Sequence, residues 1–236
     1  PNIEEVEAIY KASEGKLRIM TIAPELENGI EVIKWLSSHS VIPSLGHTNA
    51  TYDIAIKAFD SGAMLASHLF NAMRPIHHRD PGVIVAALDR EDVYVELIAD
   101  GIHVDPSVID LVIRSKGFEK VIIVSDATPL AGLPDGEYTF PGFPKITIKN
   151  RKAYLPDGTL AGSTLTLDNA LRNLLRWGVP LEKALMMLST NQARLLGLRK
   201  GLIKPGYDSD ISILNKKFEV VATLIGDKFI DLRKTN

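Results

Sequence analysis

Four polar residues that could carry out hydrolytic chemistry each follow an apolar, strand-like segment. His47 follows VIPSLG, His68 follows AMLAS, His103 follows VYVELIADGI and Asp126 follows VIIVS, with separations of 21, 35 and 23 residues. One strand, one helix and two short loops together need roughly 20–35 residues. Imidazole and carboxylate groups bind metal ions and carry protons in metal hydrolases, so these residue types at this spacing predict such a site.

The elements that must position these residues form a repeated strand–helix alternation. The five apolar, strand-like segments lie at 16–24, 41–46, 63–70, 93–99 and 121–126. Their alternation with amphipathic helical segments predicts a parallel sheet or barrel and not a sandwich. The carboxyl ends of parallel strands share one edge, where barrel enzymes form their active sites. We therefore expect the four polar side chains to lie at that edge.

The amino-acid composition limits the kinds of catalytic group and of binding partner that the chain can have. With 236 residues, 45% of them hydrophobic and 24% charged, the chain is typical of one large globular domain or one with a small addition. A net charge of −2 gives no basic surface for nucleic acid, and the absence of cysteine excludes thiolate ligands and a Cys nucleophile. No membrane span or signal peptide is visible, so we expect a cytoplasmic protein without a membrane partner.

The pattern changes in the second half of the chain. The segment 145–155 alternates like a β-hairpin, and 165–178 and 181–197 read as two amphipathic helices. The tail contains short segments typical of antiparallel strands. We therefore predict a partial barrel domain over residues 1–200 and a small β-domain to which residues 201–236 contribute.

Each of the three clearest candidates has two interpretations. His47 and His68 end adjacent strands, so their rings could meet at one metal ion, or they could be structural histidines. Asp126 follows a buried strand, where it could move a proton in a hydrolytic reaction or could cap the next turn.

Two further residues leave more alternatives open. His103 could polarise a substrate carbonyl or act as a third metal ligand, or it could be a loop residue held by Asp100 or Asp105. Glu25 follows the first strand and could be a ligand by position, or it could have a structural or capping role.

Two loops contain groups suited to an anionic or sugar substrate. Asn71, the backbone of Ala72 and the guanidinium of Arg79 suit a phosphate or carboxylate, although Arg79 could be a solvated loop residue. Gly162 and Ser163 precede a helix whose N-terminus could bind an anion or a sugar hydroxyl, or Ser163 could be the helix N-cap.

Several segments taken together resemble a known enzyme family. The segments TIAPE, GHTNATYD, SHLFNAM with RDPG behind it, ADGIHVD, VSDAT and LAGSTLTLDNALRNL closely resemble the N-acetylglucosamine-6-phosphate deacetylases of the amidohydrolase superfamily. The resemblance implies a TIM-type (β/α)8 barrel that depends on a divalent metal such as Zn or Fe, with strands four to eight in this chain. It also implies a small β-sandwich, a homodimer, and an amino-sugar phosphate as substrate.

The resemblance also assigns roles residue by residue. His47 and His68 match metal ligands at the ends of strands five and six, Asp126 matches the general base and acid, and His103 matches the residue that orients or polarises the acetamide carbonyl. The remaining matches are substrate contacts: Asn71, the Ala72 backbone, Arg79 reaching a neighbouring subunit's site, Leu160, Ala161 and Gly162.

One departure from the family pattern limits these assignments. The family's glutamate ligand lies in an H-L-E-G-P motif followed by K-G-T-H, and neither motif occurs here, while Glu25 belongs to A-P-E. Five strands cannot close an eight-stranded barrel, so the resemblance implies three further strands upstream of residue 1. The alternatives are an amidohydrolase for a cyclic amide or another N-acyl sugar, or an inactive partial chain.

Overall fold

The computed structural model describes residues 1–139, 142, 144–150 and 152–234. The chain forms two compact units. The first contains Pro1–Leu97 and Ser107–Ile122, and the second contains Ile98–Pro106 and Ile123–Asn236.

The first unit is built from the predicted alternation of strands and helices. Its strands are β1 (Ile19–Ile22), β2 (Ile42–Leu45), β3 (Leu65–Ala66) and β4 (Tyr94–Ile98). Its helices are α1 (Ile3–Ala12), α2 (Gly29–Ser38), α3 (Tyr52–Asp60), α4 (Gly82–Asp89) and α5 (Pro106–Lys116). With β5 (Val121–Val124) the strands form a five-stranded sheet in the order β1-β2-β3-β4-β5. The first three neighbouring pairs are parallel, which confirms the predicted sheet.

Local sequence explains where these elements begin and end. Thr51 caps α3 by accepting a hydrogen bond from the Ile54 N–H at 3.4 Å, and this satisfies one of the free amides of the first turn. The strand predicted over 63–70 is only two residues long, because the backbone turns into the left-handed region at His68 (φ 31°). The strand therefore ends two residues before His68, the residue that is expected to do chemistry.

The second unit contains two small antiparallel sheets and the C-terminal helices. The predicted hairpin is part of a sheet of β6 (Gly136–Tyr138), β7 (Ile146–Lys149) and β8 (Lys152–Tyr154), and its Arg151 lies outside the described residues. The tail forms β9 (Ile211–Leu214), β10 (Val220–Ile225) and β11 (Lys228–Asp231) in the order β11-β10-β9. The short antiparallel strands are thus confirmed, and the boundary at residue 200 stays a prediction.

The two predicted helices of the second unit have different outcomes. The first is α6 (Leu167–Arg176). The single helix predicted over 181–197 is instead α7 (Leu181–Leu185), a π-helical segment (Met186–Thr190) and α8 (Asn191–Leu195). The Gln192 side-chain amide donates to the carbonyls of Met187 (2.8 Å) and Ile123 (3.3 Å). A side chain therefore supplies a hydrogen bond to a carbonyl of the π-helical segment.

The helices can also be compared with the length and polarity that a membrane span requires. Over the part of the chain that is described, every helix is too short or too polar to cross a membrane.

A half-buried lysine gives the first unit a pH-dependent stability. Lys116 lines a cavity of about 770 Å³, and its Nζ donates to the Arg90 carbonyl. Burial, followed by the nearby charge of Lys120, lowers the pKa of Lys116 to about 8 from its ordinary value of 10.5. Between these two pH values the unfolded chain holds the proton and the folded chain does not. Stability due to this group therefore rises as pH increases from 8 to 10.5.

A Lys116→Met variant should reveal this dependence. At pH 7 the variant does not bury an ammonium group, so we expect its free energy of unfolding to exceed that of the wild type by about 1–2 kcal/mol, after allowance for partial solvent exposure. This difference in the free energy of unfolding should disappear as the pH rises from 8 to 10.5. Urea denaturation at both ends of this range measures it, with exposed Lys34→Met as the control. An unchanged difference at the two pH values would contradict the account.

Candidate active site

The structure brings His47 and His68 together. His47 follows β2 and His68 follows β3, and these strands are parallel neighbours with Leu45 paired to Ala66. The two imidazole rings lie edge to face, with centroids 4.7 Å apart and ring planes at 90°. The predicted adjacency of the two residues is therefore observed, whereas ligation of a metal by them stays a prediction.

The orientation of His68 suits metal binding. Its Nδ1 lies 3.1 Å from the Asn71 carbonyl oxygen, which can only accept, so Nδ1 carries the proton. This leaves Nε2 unprotonated in the neutral ring and able to bind a cation, and the backbone carbonyl acts as the outer partner that metal-binding histidines usually have. The Asn71 side-chain amide in turn donates to the carbonyls of His68 (3.2 Å) and Leu69 (3.3 Å), so Asn71 holds this loop in shape.

The backbone at several predicted site residues is unusual. His47 (φ 48°), His68 (φ 31°), Ala72 (φ 50°) and Asp126 (φ 48°) all lie in the left-handed region. Residues other than glycine adopt this region rarely, and such residues concentrate at functional sites. Sequence reasoning could not find this feature, because it depends on how each strand end turns.

The described residues do not contain a complete set of metal ligands. Across residues 1–139, 142, 144–150 and 152–234, no group of three or more His, Cys, Asp or Glu side chains is arranged to hold a metal ion. A catalytic zinc ion usually has three protein ligands and a water. The His47–His68 pair therefore fits two of the ligands of such a site.

Glu25 has the structural role that the sequence left open. Its carboxylate accepts hydrogen bonds from the Thr48 hydroxyl and from the Asn49 N–H, the latter at 2.6 Å. The Thr48 N–H in turn donates to the Ala72 carbonyl at 3.0 Å. Glu25 thus fastens the loop after His47, and that loop is joined to the loop after His68.

Removing the Glu25 charge should loosen this arrangement. Glu25→Gln keeps the shape but weakens two charge-assisted hydrogen bonds, so we expect a loss of about 1–2 kcal/mol in the free energy of unfolding. Urea denaturation measures it, and Glu27→Gln at an exposed neighbouring position is the matched control. Equal stability of the two variants would show that Glu25 does not hold the loop.

The loop after His68 contains two arginines with different environments. The Arg74 Nε donates to Asp80 at 2.9 Å, and this hydrogen bonding raises the pKa of Arg74 and lowers the pKa of Asp80. Arg79 is exposed, and its guanidinium lies 2.7 Å from the His78 ring nitrogen. Arg74 is therefore used within the loop, whereas Arg79, the predicted phosphate contact, faces solvent.

In the second unit, His103 is held by Asp100, which is one of the partners that the sequence offered for it. The His103 Nδ1 lies 2.6 Å from Asp100 Oδ2, and the two side chains are only 8% and 9% exposed. Burial raises the pKa of Asp100, but hydrogen bonds from the His103 ring and from the His103 and Ile102 amides outweigh it, so the pKa is lowered overall. Asp100 is accordingly an ionised, buried partner of the imidazole.

Asp126 lies beside the loop that contains Gly162. The Ser163 N–H donates to the Asp126 carbonyl at 3.0 Å, and the Thr128 N–H donates to the Ser163 carbonyl at 2.9 Å. Gly162 has φ 62°, and a Cβ there would lie 2.6 Å from Thr128 Cγ2. A larger residue at Gly162 would therefore push against the segment that carries Asp126.

The structure of the same loop shows that the predicted N-cap role of Ser163 is wrong, and it shows the positions of Leu160 and Ala161. Helix α6 begins at Leu167, so Ser163 is not its N-cap and the helix N-terminus does not lie at Gly162. Leu160 forms an isolated bridge with Tyr154, and the Ala161 N–H donates to the Ala153 carbonyl at 2.9 Å. Substrate contact by Leu160, Ala161 and Gly162 stays a prediction.

Comparison with known proteins identifies the family. A model described as the amidohydrolase family matches residues 31–230. The chain belongs to the amidohydrolase family. Among curated relatives of this amidohydrolase, the N-acetylglucosamine-6-phosphate deacetylase of Bacillus subtilis (strain 168) is 39% identical over 213 residues, which is 89% of this chain and 54% of that protein. The N-acetylgalactosamine-6-phosphate deacetylase of Escherichia coli O157:H7 is 36% identical over 221 residues, 92% of this chain and 58% of that protein.

Comparison with a solved structure shows the amidohydrolase fold and confirms the resemblance seen in the sequence. The N-acetyl-D-glucosamine-6-phosphate deacetylase of Mycobacterium smegmatis, in complex with N-acetyl-D-glucosamine-6-phosphate, matches this amidohydrolase with a TM-score of 0.92 and 34% identity. The match covers 97% of this chain and 61% of that one. The chain thus spans about half the length of the curated relatives it matches.

Proposed function

We propose that this amidohydrolase removes the acetyl group from N-acetylglucosamine 6-phosphate and releases acetate and glucosamine 6-phosphate. The observation that carries the proposal is the pair of imidazoles, His47 and His68, with centroids 4.7 Å apart at neighbouring strand ends. The relatives support it, because the Bacillus subtilis protein is named for this reaction.

The histidine pair would provide part of the site for a divalent cation such as Zn or Fe. His68 would bind through Nε2, since its Nδ1 donates to the Asn71 carbonyl. His47 would supply the second nitrogen from the adjacent loop. When bound, the cation would supply Lewis-acid activation of water and of the amide carbonyl.

Two further residues would act on the proton and on the carbonyl. The Asp126 carboxylate would take a proton from the attacking water and pass it to the departing amine nitrogen, which must be protonated to leave. His103 would orient and polarise the acetamide carbonyl, so that negative charge developing on its oxygen is stabilised. Both roles are those that the family resemblance implies for these positions.

The remaining predicted residues would bind the sugar phosphate. Exposed Arg79 would pair with the phosphate, and in a homodimer it would reach the site of the neighbouring subunit. The other proposed contacts are Asn71, the Ala72 backbone, Leu160, Ala161 and Gly162. We also infer that the five-stranded sheet is part of a (β/α)8 barrel and that the C-terminal antiparallel strands contribute to a β-sandwich.

A second candidate substrate differs only at one sugar carbon. The Escherichia coli relative is named for the galactosamine epimer and covers 92% of this chain, which favours N-acetylgalactosamine 6-phosphate as the alternative.

Initial rates of acetate release discriminate among these substrates. We expect acetate to be released faster from N-acetylglucosamine 6-phosphate than from its galactosamine epimer. We also expect N-acetylglucosamine without the phosphate to react at least ~10-fold more slowly than the phosphorylated sugar, because Arg79 would have no anion to bind. Equal rates with and without the phosphate would contradict the proposed substrate class. Preferential hydrolysis of a cyclic amide would favour a different amidohydrolase activity.

A further inference from the structure

Asp100 makes three hydrogen bonds that converge on His103 and its loop. Its Oδ1 accepts from the N–H groups of Ile102 (2.8 Å) and His103 (2.9 Å). Its Oδ2 lies 2.6 Å from the His103 Nδ1, and both side chains are nearly excluded from solvent. One carboxylate therefore fixes both the backbone and the ring of the same histidine.

We infer that Asp100 is a positioning residue that keeps the His103 proton on Nδ1 and aims Nε2 away from itself. This inference deepens the proposed function, on which the reactive role of His103 depends. An ionised carboxylate can only accept hydrogen bonds, so the nitrogen that faces it must carry a hydrogen. The lowered pKa of Asp100 agrees with an ionised partner.

The tautomer decides what His103 can do to a substrate. With Nδ1 protonated, the neutral ring has a bare Nε2 that accepts hydrogen bonds but cannot donate to a carbonyl oxygen. Donation from Nε2 needs the doubly protonated ring, in which Nδ1 still donates to the Asp100 carboxylate. Asp100 thus allows His103 to donate to the substrate while Nδ1 stays engaged.

Asp100→Asn should move the proton. The asparagine oxygen can take over the two backbone N–H groups, which leaves its NH₂ facing His103 Nδ1. Because that NH₂ can only donate, Nδ1 of the neutral ring must become the acceptor, and the proton moves to Nε2. A carboxylate-to-amide change beside a catalytic histidine is known to disturb its tautomer without disturbing the fold.

Nitrogen NMR of protein labelled with ¹⁵N-histidine tests the inference without reference to activity. The His103 signals are assigned by their loss in His103→Gln. We expect Nδ1 protonated in the wild type and Nε2 protonated in Asp100→Asn. Asp100→Glu, which keeps the charge, should retain the wild-type pattern and serves as the second variant if Asp100→Asn is unstable. The same protonated nitrogen in wild type and Asp100→Asn would overturn the inference.

Steady-state kinetics separates positioning from a merely structural role. In Asp100→Asn the asparagine NH₂ faces Nδ1, so the ring can donate from Nε2 only as a neutral group and not as the doubly protonated one. We therefore expect kcat to fall ~10- to 10³-fold with little change in KM, since the substrate contacts remain. Surface variant Asp110→Asn is the control. A shifted tautomer with unchanged kcat would contradict the positioning role. Absence of acetate release by the wild type would count against the proposed function, while the NMR result would still decide the role of Asp100.

Discussion

Replacing Asp126 with asparagine is expected to lower kcat for acetate release at least ~10²-fold, the usual scale for a positioned acid or base. The amide cannot take a proton from water or return one to the amine. The change should leave the fold intact, because Asn tolerates the left-handed backbone (φ 48°) as well as Asp does. The loss should therefore appear in kcat and not in the free energy of unfolding.

The matched control for this prediction is Asp157→Asn. Asp157 is an exposed turn residue of the same unit whose carboxylate accepts from the Thr159 N–H, a bond that an asparagine oxygen can also accept. We expect this control to keep near-normal turnover, as measured by acetate release at saturating substrate. Near-normal turnover of Asp126→Asn itself would remove Asp126 from the mechanism.

The second large effect concerns metal binding by the histidine pair. Replacing either His47 or His68 with asparagine should weaken binding of a divalent cation by more than ~10²-fold, because loss of a direct ligand costs more than the 10–100-fold typical of outer partners. The double variant should retain no stoichiometric metal. Elemental analysis and calorimetric titration with Zn²⁺ measure both effects.

The control for the ligand variants is a histidine from the same unit. His39 directly follows α2 and stacks on Trp35, with ring centroids 3.8 Å apart, and we assign it no metal. His39→Asn should therefore bind Zn²⁺ as tightly as the wild type. Wild-type affinity in His47→Asn and His68→Asn would show that the paired rings are structural.

Sequence reasoning located the elements and the histidine pair because both follow from local pattern. Buried parallel strands read as continuous apolar runs, and residues that follow neighbouring strands must lie at the same sheet edge. The contact between the His47 and His68 rings is the direct outcome. The pairing of Asp100 with His103 was among the alternatives that the sequence left open, and the short Oδ2–Nδ1 distance shows it.

Other features could not be predicted because they depend on tertiary contacts. The hydrogen bonds that Glu25 accepts from Thr48 and Asn49 join residues more than twenty positions apart. The π-helical segment depends on where the Gln192 amide finds its acceptors, and no residue pattern marks it. Residue type alone left two interpretations for Asp126, a proton carrier or a turn cap, and two for Arg79, an anion contact or a solvated residue. The family resemblance favoured the functional interpretation of each.

We propose that this protein hydrolyses the amide bond of N-acetylglucosamine 6-phosphate. The most direct measurement follows the acetyl methyl signal by proton NMR while the protein is incubated with that substrate and a divalent cation. We predict that the N-acetyl signal is replaced by free acetate, with one primary amine formed for each acetate released. Persistence of the N-acetyl signal with metal-loaded protein would contradict the claim.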